Sequence, residues 1–523
     1  MKCRQCEETI AGTGCTRNGV CGKTAAVAEA QDRLIQSLIV LSKGTVDGKV
    51  GPEAIEDIDS RAVDGLFMTL SNTNFDLEAI ENAFKANKKL IGDLGLECGL
   101  CAAFPEEIGI DSYDKNADLR SLKELLLAGI KGMAAYYHHA KVLGYTDPEV
   151  PAFIRKALAS LRADLTADAL VALNMECGSV GVKCLALLDK ANTETYGTPS
   201  PCTVNTGVGK NPGILITGHD LKDLKMLLEQ TQGTGVDVYT HGEMLPANAY
   251  PELRKYPNLR GNYGGAWYKQ KTEFASFNGP ILATTNCVLI PPEEYKGRLF
   301  TTGVAGVPGV RHIDADADGN KDFSELIEMA KKCSPPQEID NVNLTVGFGH
   351  AAVLGLADKI IDAVKSGAIK RFVVMAGCDG REKPRSYYTD FAQSLPKDTV
   401  ILTAGCAKYR YNKLDLGDIG GIPRVIDAGQ CNDCYSLVVI AQALAKAFGT
   451  DVNGLPLSFN ISWYEQKACL VLLSLLSLGV KDIMLGPRLP VFLTPGVTKV
   501  LVDTFGIKAN GEVAGDMQIL HIQ

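Results

Sequence analysis

The sequence predicts a multidomain α and α/β protein, with N-terminal helical bundles followed by two α/β domains built on mostly parallel sheets. Two textures point to this. From about Thr24 to Asn192, apolar residues recur at helical spacing. Beyond Pro212, short apolar runs alternate with helical stretches, the pattern of parallel α/β layers. A length of 523 residues with 46% hydrophobic content leaves room for several buried cores.

In the helical part, Leu77, Ile80, Phe84 and Ile91 mark one apolar face. The segments Leu119 to Leu143, Pro151 to Arg162 and Thr166 to Asn192 continue the pattern, with Thr166 as an N-cap. Short polar loops between them suggest antiparallel bundles. The stretch TETYGTPSPCTVNTGVGKNP is rich in Gly, Pro and Thr and reads as a linker. After it, GILITGHD, VDVYTHGE, PILATTNC, LTVGFGH, RFVVMAGC, TVILTAGC, RVIDAGQC, LSFNISWYE and DIMLGP read as strands. SPPQE interrupts that series near residue 335. The expected units are therefore 1–200, 201–335 and 336–523.

The net charge of −8 argues against a nucleic acid or an anionic membrane as partner. The N-terminal MKCRQCEE has no apolar stretch, so a secretory signal is not expected. The longest strongly apolar run, Ala468 to Val480, is too short to span a bilayer. A cytoplasmic location is the expectation. Disulfides are rare there, so 16 cysteines point to metal or redox chemistry.

Cys3, Cys6, Cys15 and Cys21 form C-x2-C-x8-C-x5-C. Zinc and iron–sulfur clusters both accept four thiolates. The spacing is not that of a zinc ribbon, which separates two C-x2-C knuckles by a longer stretch, and it favours iron–sulfur. Gly12, Gly14, Gly19 and Gly22 permit tight wrapping.

A second set of donors follows the expected strands directly: His219, Glu243, Cys287, Cys378, Cys406, Cys431 and Glu465. In open α/β sheets, ligands bind outside the carboxyl ends of strands, so these side chains can converge. Thiolates suit a sulfur-rich iron cluster, whereas imidazole and carboxylate suit iron that also binds oxygen. Taken singly, a buried Cys is an ordinary small core residue and a strand-end Glu an ordinary helix cap. The repetition of one placement argues for a common site.

Other motifs carry less weight. Asp314, Asp316, Asp318, Gly319 and Glu325 match a calcium-loop pattern, but no helix precedes them and Lys321 stands at a normally apolar position; a solvated turn is the expectation. Gly347, Gly349 and Ala352 form only a weak dinucleotide fingerprint, and GVGK precedes a strand rather than following one. Cys98 and Cys101 read as reduced, inert thiols, with a redox pair or peripheral metal site as alternatives. His138 and His139 read as packing or surface residues. Cys434 is expected at the first turn of the helix after Cys431.

The stretches MKCRQCEETIAGTGCTRNGVCGK, TGHD, THGEMLPA, TTNC, AGCDG, AGCAKYRYN, GQCNDCYS and SWYEQKA, in this order, resemble the hybrid cluster protein (hydroxylamine reductase) family over essentially the whole chain. The resemblance implies a pair of three-helix bundles followed by two α/β domains. It implies a cubane [4Fe-4S] cluster on Cys3, Cys6, Cys15 and Cys21, since the spacing looks like the cubane-bearing class. It also implies a hybrid [4Fe-2S-2O] cluster buried at the domain interface on His219, Glu243, Cys287, Cys378, Cys406, Cys431 and Glu465, with a persulfide on Cys378. The implied activity is reduction of hydroxylamine to ammonia and water, with reduction of nitric oxide to nitrous oxide also attributed to the family. A separate redox protein would donate electrons. Glu243, Glu465 and Lys467 are the expected proton-handling residues. Two alternatives stand beside this reading: a redox or nitrosative-stress sensor (or nitrosylation-mediating protein), and an enzyme like nickel–iron carbon monoxide dehydrogenase.

Overall fold

The computed structural model describes residues 1–9, 12–101 and 105–522; Ile10 and Ala11, inside the N-terminal cysteine motif, lie outside the described residues. The helical part comprises α1 (Ala25–Val46), α2 (Ile55–Met68), α3 (Leu77–Asp93), α4 (Ala117–Lys141), α5 (Glu149–Ser160) and α6 (Ala167–Tyr196). Side-chain oxygens of Thr24, Asp76, Asn116 and Thr166 accept backbone N–H groups at the starts of α1, α3, α4 and α6, which satisfies donors that a helix cannot pair itself. On α3, Ile80 and Ile91 are buried while Leu77 and Phe84 are partly buried, so the expected face is the inner one.

α4 is buried without interruption from Ser121 to Tyr137. A helix covered all round is the core of its assembly. It packs against α2, α5 and α6 and also against a helix from the far end of the chain, Gln466–Ser477. Among the described helices, α6 is long and apolar enough to cross a membrane by length and composition, with half of that window buried.

Two six-stranded parallel sheets follow. The first has the order β4-β3-β2-β5-β6-β7, from β2 (Gly213–Thr217), β3 (Asp237–His241), β4 (Leu259–Asn262), β5 (Ile281–Ala283), β6 (Leu299–Thr302) and β7 (Arg311–Ile313). The second has the order β13-β10-β9-β14-β15-β16, from β9 (Arg371–Val374), β10 (Thr399–Thr403), β13 (Val425–Asp427), β14 (Leu457–Ser462), β15 (Ile483–Gly486) and β16 (Lys508–Ala509). β2, β3, β9, β10, β14 and β15 are buried throughout or nearly so, as strands covered on both faces must be.

Several expectations change. The linker is not free of structure: α6 runs on to Tyr196, and β1 (Cys202–Asn205) pairs antiparallel with β8 (Asn343–Val346), a partner that no local reading can see. That pairing places LTVGFGH outside both parallel sheets, so its glycines lack the βαβ frame of a dinucleotide fold. Cys98 and Cys101 are joined as a disulfide rather than reduced; the Cys101 N–H donates to the Cys98 carbonyl (3.2 Å), a turn that brings the two side chains together. The calcium-like loop is a solvated turn. Asp316 accepts the N–H groups of Asp318 and Asn320, and Glu325 is paired with Arg311 instead of reaching the loop.

The crossing of α6 with Gln466–Ser477 leaves no room for side chains. A Cβ on Gly178 would lie 2.1 Å from the Leu473 carbonyl oxygen. Gly178→Ala is expected to cost about 1–3 kcal/mol through forced backbone movement. Gly92→Ala, in open space on α3, should be neutral or slightly stabilising. Thermal or denaturant unfolding of the two variants checks the contrast.

Candidate metal centres

The N-terminal loop folds back on itself through paired main-chain bonds: Cys3 N–H to the Cys15 carbonyl (3.0 Å) and Cys15 N–H to the Cys3 carbonyl (2.8 Å). Cys6 feels Cys3 and Cys21, and Cys21 feels Cys3 and Cys15, so the structure brings all four thiols together. Burial first, then this mutual repulsion, pushes the Cys6 thiol well above its ordinary range. Burial also raises Cys21, against the pull of Lys23.

The loop is seated on the C-terminal part of the chain. Glu7 N–H donates to the Tyr464 carbonyl (2.9 Å), one residue before Glu465. Gln5 Oε1 accepts from Lys131 (3.0 Å) and from Gln466 (2.5 Å), and Gln466 in turn accepts the Ser71 N–H (3.2 Å).

The second constellation converges. His219, Glu243, Cys287, Cys378, Cys406, Cys431 and Glu465 all line one cavity of about 20 Å³, together with Lys467, Trp267, Asn286, Gly377 and Tyr464. Each donor leaves the carboxyl end of a strand: β2, β3 and β5 in the first sheet, and β9, β10, β13 and β14 in the second. Both sheets therefore point their carboxyl ends at the same place. The turns are tight. A Cβ on Gly377 would lie 2.1 Å from the Ser462 carbonyl oxygen, and one on Gly405 would lie 2.4 Å from the Gly377 carbonyl oxygen. Both glycines have positive φ, which L side chains rarely adopt. Cys287 also has positive φ, at 72°, a strained conformation for a residue with a Cβ.

His219, Glu243 and Glu465 are each aimed by a neighbour. His219 Nδ1 lies 2.8 Å from Thr285 Oγ1, leaving Nε2 for the cavity. Glu243 Oε2 accepts the Cys431 N–H (2.7 Å), and its other oxygen is buried with no partner. Glu465 Oε2 accepts the Lys467 N–H (2.9 Å). The Lys467 ammonium reaches His219 Nε2 (3.1 Å), Asn286 Oδ1 (3.2 Å) and Cys431 Sγ (3.4 Å). His219, Glu243 and Cys431 place one ligand atom each within 4.8 Å of one another.

The electrostatics fit a site that takes added positive charge. Burial, opposed by Lys467, raises Cys287 and Cys431 well above the ordinary thiol range, and burial with Glu243 and Cys287 does the same to Cys406. Burial and the Glu465 carboxylate push Cys378 up to about 12. Burial raises Glu465 as well. Burial works against the Lys467 charge, but Cys431 and Glu465 overcome it and raise its pKa. Four thiols and two carboxylates thus face one ammonium. A site able to hold them as anions needs added positive charge, and the buried Glu243 oxygen without a protein partner is a donor that fits such a group.

Further residues surround the donors, and two of them, Arg385 and Lys408, escape a reading of the sequence. His138 and His139 pack against Phe67, as expected; His139 is also buried beside His219, with ring centroids 6.3 Å apart, and His138 lies 2.8 Å from Asp64. Cys434 ends the turn that carries Cys431 and opens the helix Tyr435–Phe448, as expected. Arg385, fully buried, donates to Ser462 Oγ (2.7 Å) and to the Trp463 carbonyl (2.5 Å). Lys408, two residues after Cys406, donates to Asp427 (2.5 Å) and to the Gly429 carbonyl (2.6 Å), joining the Cys406 turn to the Cys431 turn. Lys408→Met strands the Asp427 carboxylate, whose pKa burial already raises. The expected cost is roughly 3–5 kcal/mol, read as a lower melting temperature together with loss of bound iron.

Comparison with known proteins agrees with the shared geometry. The family model described as Prismane/CO dehydrogenase family matches residues 1–518. A protein named hydroxylamine reductase from Methanosarcina mazei is 57% identical, over 99% of this chain and all of that protein. One of the same name from Thermoanaerobacter pseudethanolicus is 56% identical over 99% of both chains. Among solved structures, carbon monoxide dehydrogenase IV from Carboxydothermus hydrogenoformans superimposes with a TM-score of 0.59 at 17% identity, covering 99% of this chain and 92% of that one. A nickel-free carbon monoxide dehydrogenase from Thermococcus sp. AM4 gives 0.57 at 18% identity, covering 99% and 90%. With a family model matched over nearly its full length and relatives above half identity, the chain belongs to the Prismane/CO dehydrogenase family.

Proposed function

We propose that the protein is an iron–sulfur oxidoreductase that reduces hydroxylamine to ammonia and water: NH2OH + 2 e⁻ + 2 H⁺ → NH3 + H2O. The observation that carries the proposal is the convergence of His219, four cysteines and two glutamates on one buried cavity. The relatives' printed name supports the substrate. In this reading, Cys3, Cys6, Cys15 and Cys21 hold a [4Fe-4S] cluster, and the seven strand-end donors hold a hybrid [4Fe-2S-2O] cluster with a persulfide on Cys378. Such clusters supply electrons and an exchangeable iron position for a small N–O substrate. The division into 1–200, 201–335 and 336–523 belongs to the same reading and is supported by the two separate sheets.

The chain's own residues then have definite tasks. Glu243 and Glu465 offer hard oxygens where a thiolate-only site would not need them. Lys467 is the buried ammonium at the cavity, placed to give a proton to a departing oxygen. Thr285 fixes the His219 ring. Trp267 and Tyr464 close the cavity with apolar surface, which limits side reactions with water.

A second substrate is favoured by a specific feature. A cavity of about 110 Å³ reaches Cys378, Cys431 and Lys467 between walls that include Val182, Leu437, Phe459 and Leu475. A small uncharged molecule such as nitric oxide crosses such a space without losing hydrogen bonds, so reduction of 2 NO with 2 e⁻ and 2 H⁺ to N2O and H2O joins the proposal. Anaerobic turnover separates both activities from a sensor role.

The test is a set of variants. Cys6→Ser should lower the iron and sulfide count and remove the N-terminal cluster signal while retaining the second cluster, with slower turnover from an external donor. Glu465→Gln and Glu243→Gln should fold normally and keep the N-terminal signal, but alter the second-cluster spectrum and lose most hydroxylamine turnover. Glu325→Gln, whose residue pairs with Arg311 at the surface, should change neither. Wild-type spectra and rates in both carboxylate variants would sink the mixed-ligand assignment. Stoichiometric nickel in the purified protein would move the assignment to carbon monoxide dehydrogenase-like chemistry.

A further inference from the structure

The N-terminal loop is the part of the redox machinery that reaches the surface. Thr16, Arg17, Asn18, Val20 and Gly22 are exposed between and beside Cys15 and Cys21, whereas His219, Glu243, Glu465 and Lys467 are all within 4% of complete burial. Electrons from another protein must enter here, in so far as the cluster reading above holds.

The outward side chains around this loop are basic. Arg381 donates to the Val20 carbonyl (2.8 Å) and so sits on the loop's rim. The Arg488 guanidinium lies 3.9 Å from where a Cβ on Gly12 would stand. The carboxylates that answer them, Glu8 and Glu7, are buried beneath, so the outer layer of each pair is the cation. Arg17, between Cys15 and Cys21, and Lys383, two residues beyond Arg381 in the same turn of chain, are exposed and join no ion pair among the described residues. Lys2 adds a cation paired with Asp111; Asp111, Glu382, Glu29 (paired with the N-terminus) and the mostly buried Glu124 (paired with Arg4) are acidic groups nearby. The whole chain carries −8, so this face is opposite in sign to the molecule. At its centre stands Val20, an exposed apolar residue at 38%. An apolar centre with a charged rim is the anatomy of a small transient interface.

We propose that the rim formed by Arg17, Val20, Arg381, Lys383 and Arg488 docks a small acidic one-electron carrier protein of the ferredoxin class. Each encounter oxidises the carrier by one electron and reduces the N-terminal cysteine-bound centre by one, with no bond made or broken; two encounters meet the demand of one hydroxylamine. Charge complementarity selects this occupant, because a basic carrier would be repelled.

The experiment uses the full-length holoprotein under anaerobic conditions, with a purified acidic bacterial ferredoxin as probe. Two readouts are taken: binding of the oxidised ferredoxin, and the second-order rate at which reduced ferredoxin reduces the protein. Both should weaken as ionic strength rises. In Arg17→Glu combined with Lys383→Glu, the rate at low salt should fall by about tenfold or more and its salt dependence should flatten. Reduction by methyl viologen radical, iron content and melting temperature should stay at wild-type values. A double variant with wild-type binding, rate and salt dependence overturns the proposal. So does a wild-type protein that viologen reduces but ferredoxin does not. Absence of iron, or failure of viologen to reduce the wild type, instead overturns the cluster reading on which the proposal rests.

Discussion

Charge burial is the constraint on which the rest of the structure depends. Four thiols, two carboxylates and one imidazole face a cavity whose only ammonium is Lys467 among the residues that line it. Burial drives Cys287, Cys406, Cys431 and Glu465 toward their protonated forms, so holding the set as anions takes added positive charge. The fold must hold these groups against their mutual repulsion with parts that do not relax. It does so with the most rigid material available, the carboxyl ends of two parallel sheets.

The supporting shell explains why the site residues cannot drift. Lys408 and Asp427 tie the Cys406 and Cys431 turns together, and Asp427 also accepts the Gly429 N–H (3.0 Å). Asp433 closes the turn around Cys431, its carboxylate accepting the Gln430 N–H (2.7 Å) and its own N–H donating to the Gln430 carbonyl (2.9 Å), and the Tyr250 hydroxyl donates to Asp433 (2.7 Å) from the other sheet's domain. The helix that begins at Gln466 is wedged against α4 and α6 at points where only glycine fits, so the helical part sets the height of Glu465 and Lys467. What looks like a remote bundle is therefore the support behind one wall of the site.

The legible parts of this arrangement share one property: they are local. The donors His219 through Glu465 follow their strands within two to four residues, and an apolar run that ends shortly before Cys, His or Glu can be read without knowing the partner strand. The helical caps at Thr24 and Thr166 are local too. The features that escaped notice are pairings over distance. β1 with β8, Gln5 with Gln466, and His139 with His219 join segments far apart in sequence. The short strands β4, β6, β7 and β16 also escaped, because each is two to four residues long and held by neighbours rather than by its own pattern. The Cys98–Cys101 disulfide escaped because x2 spacing permits thiols, metal or disulfide alike.

Arg385 shows how tightly the two cysteine sets are bound into one device. Its guanidinium is fully buried and reaches Ser462 and Trp463 on the approach to Glu465, the Cys378 carbonyl (3.5 Å), and Glu7 of the N-terminal loop (3.5 Å). A lysine could neutralise Glu7 but could not present a planar fork to several acceptors at once. Glu7 in turn hangs its own N–H on the Tyr464 carbonyl. The loop that meets the solvent is thus fixed to the same two turns that place Cys378 and Glu465. The outer cysteine loop and the inner cavity thus lie at different depths of the protein without becoming independent of each other, because one buried cation with its carboxylate ties the two together.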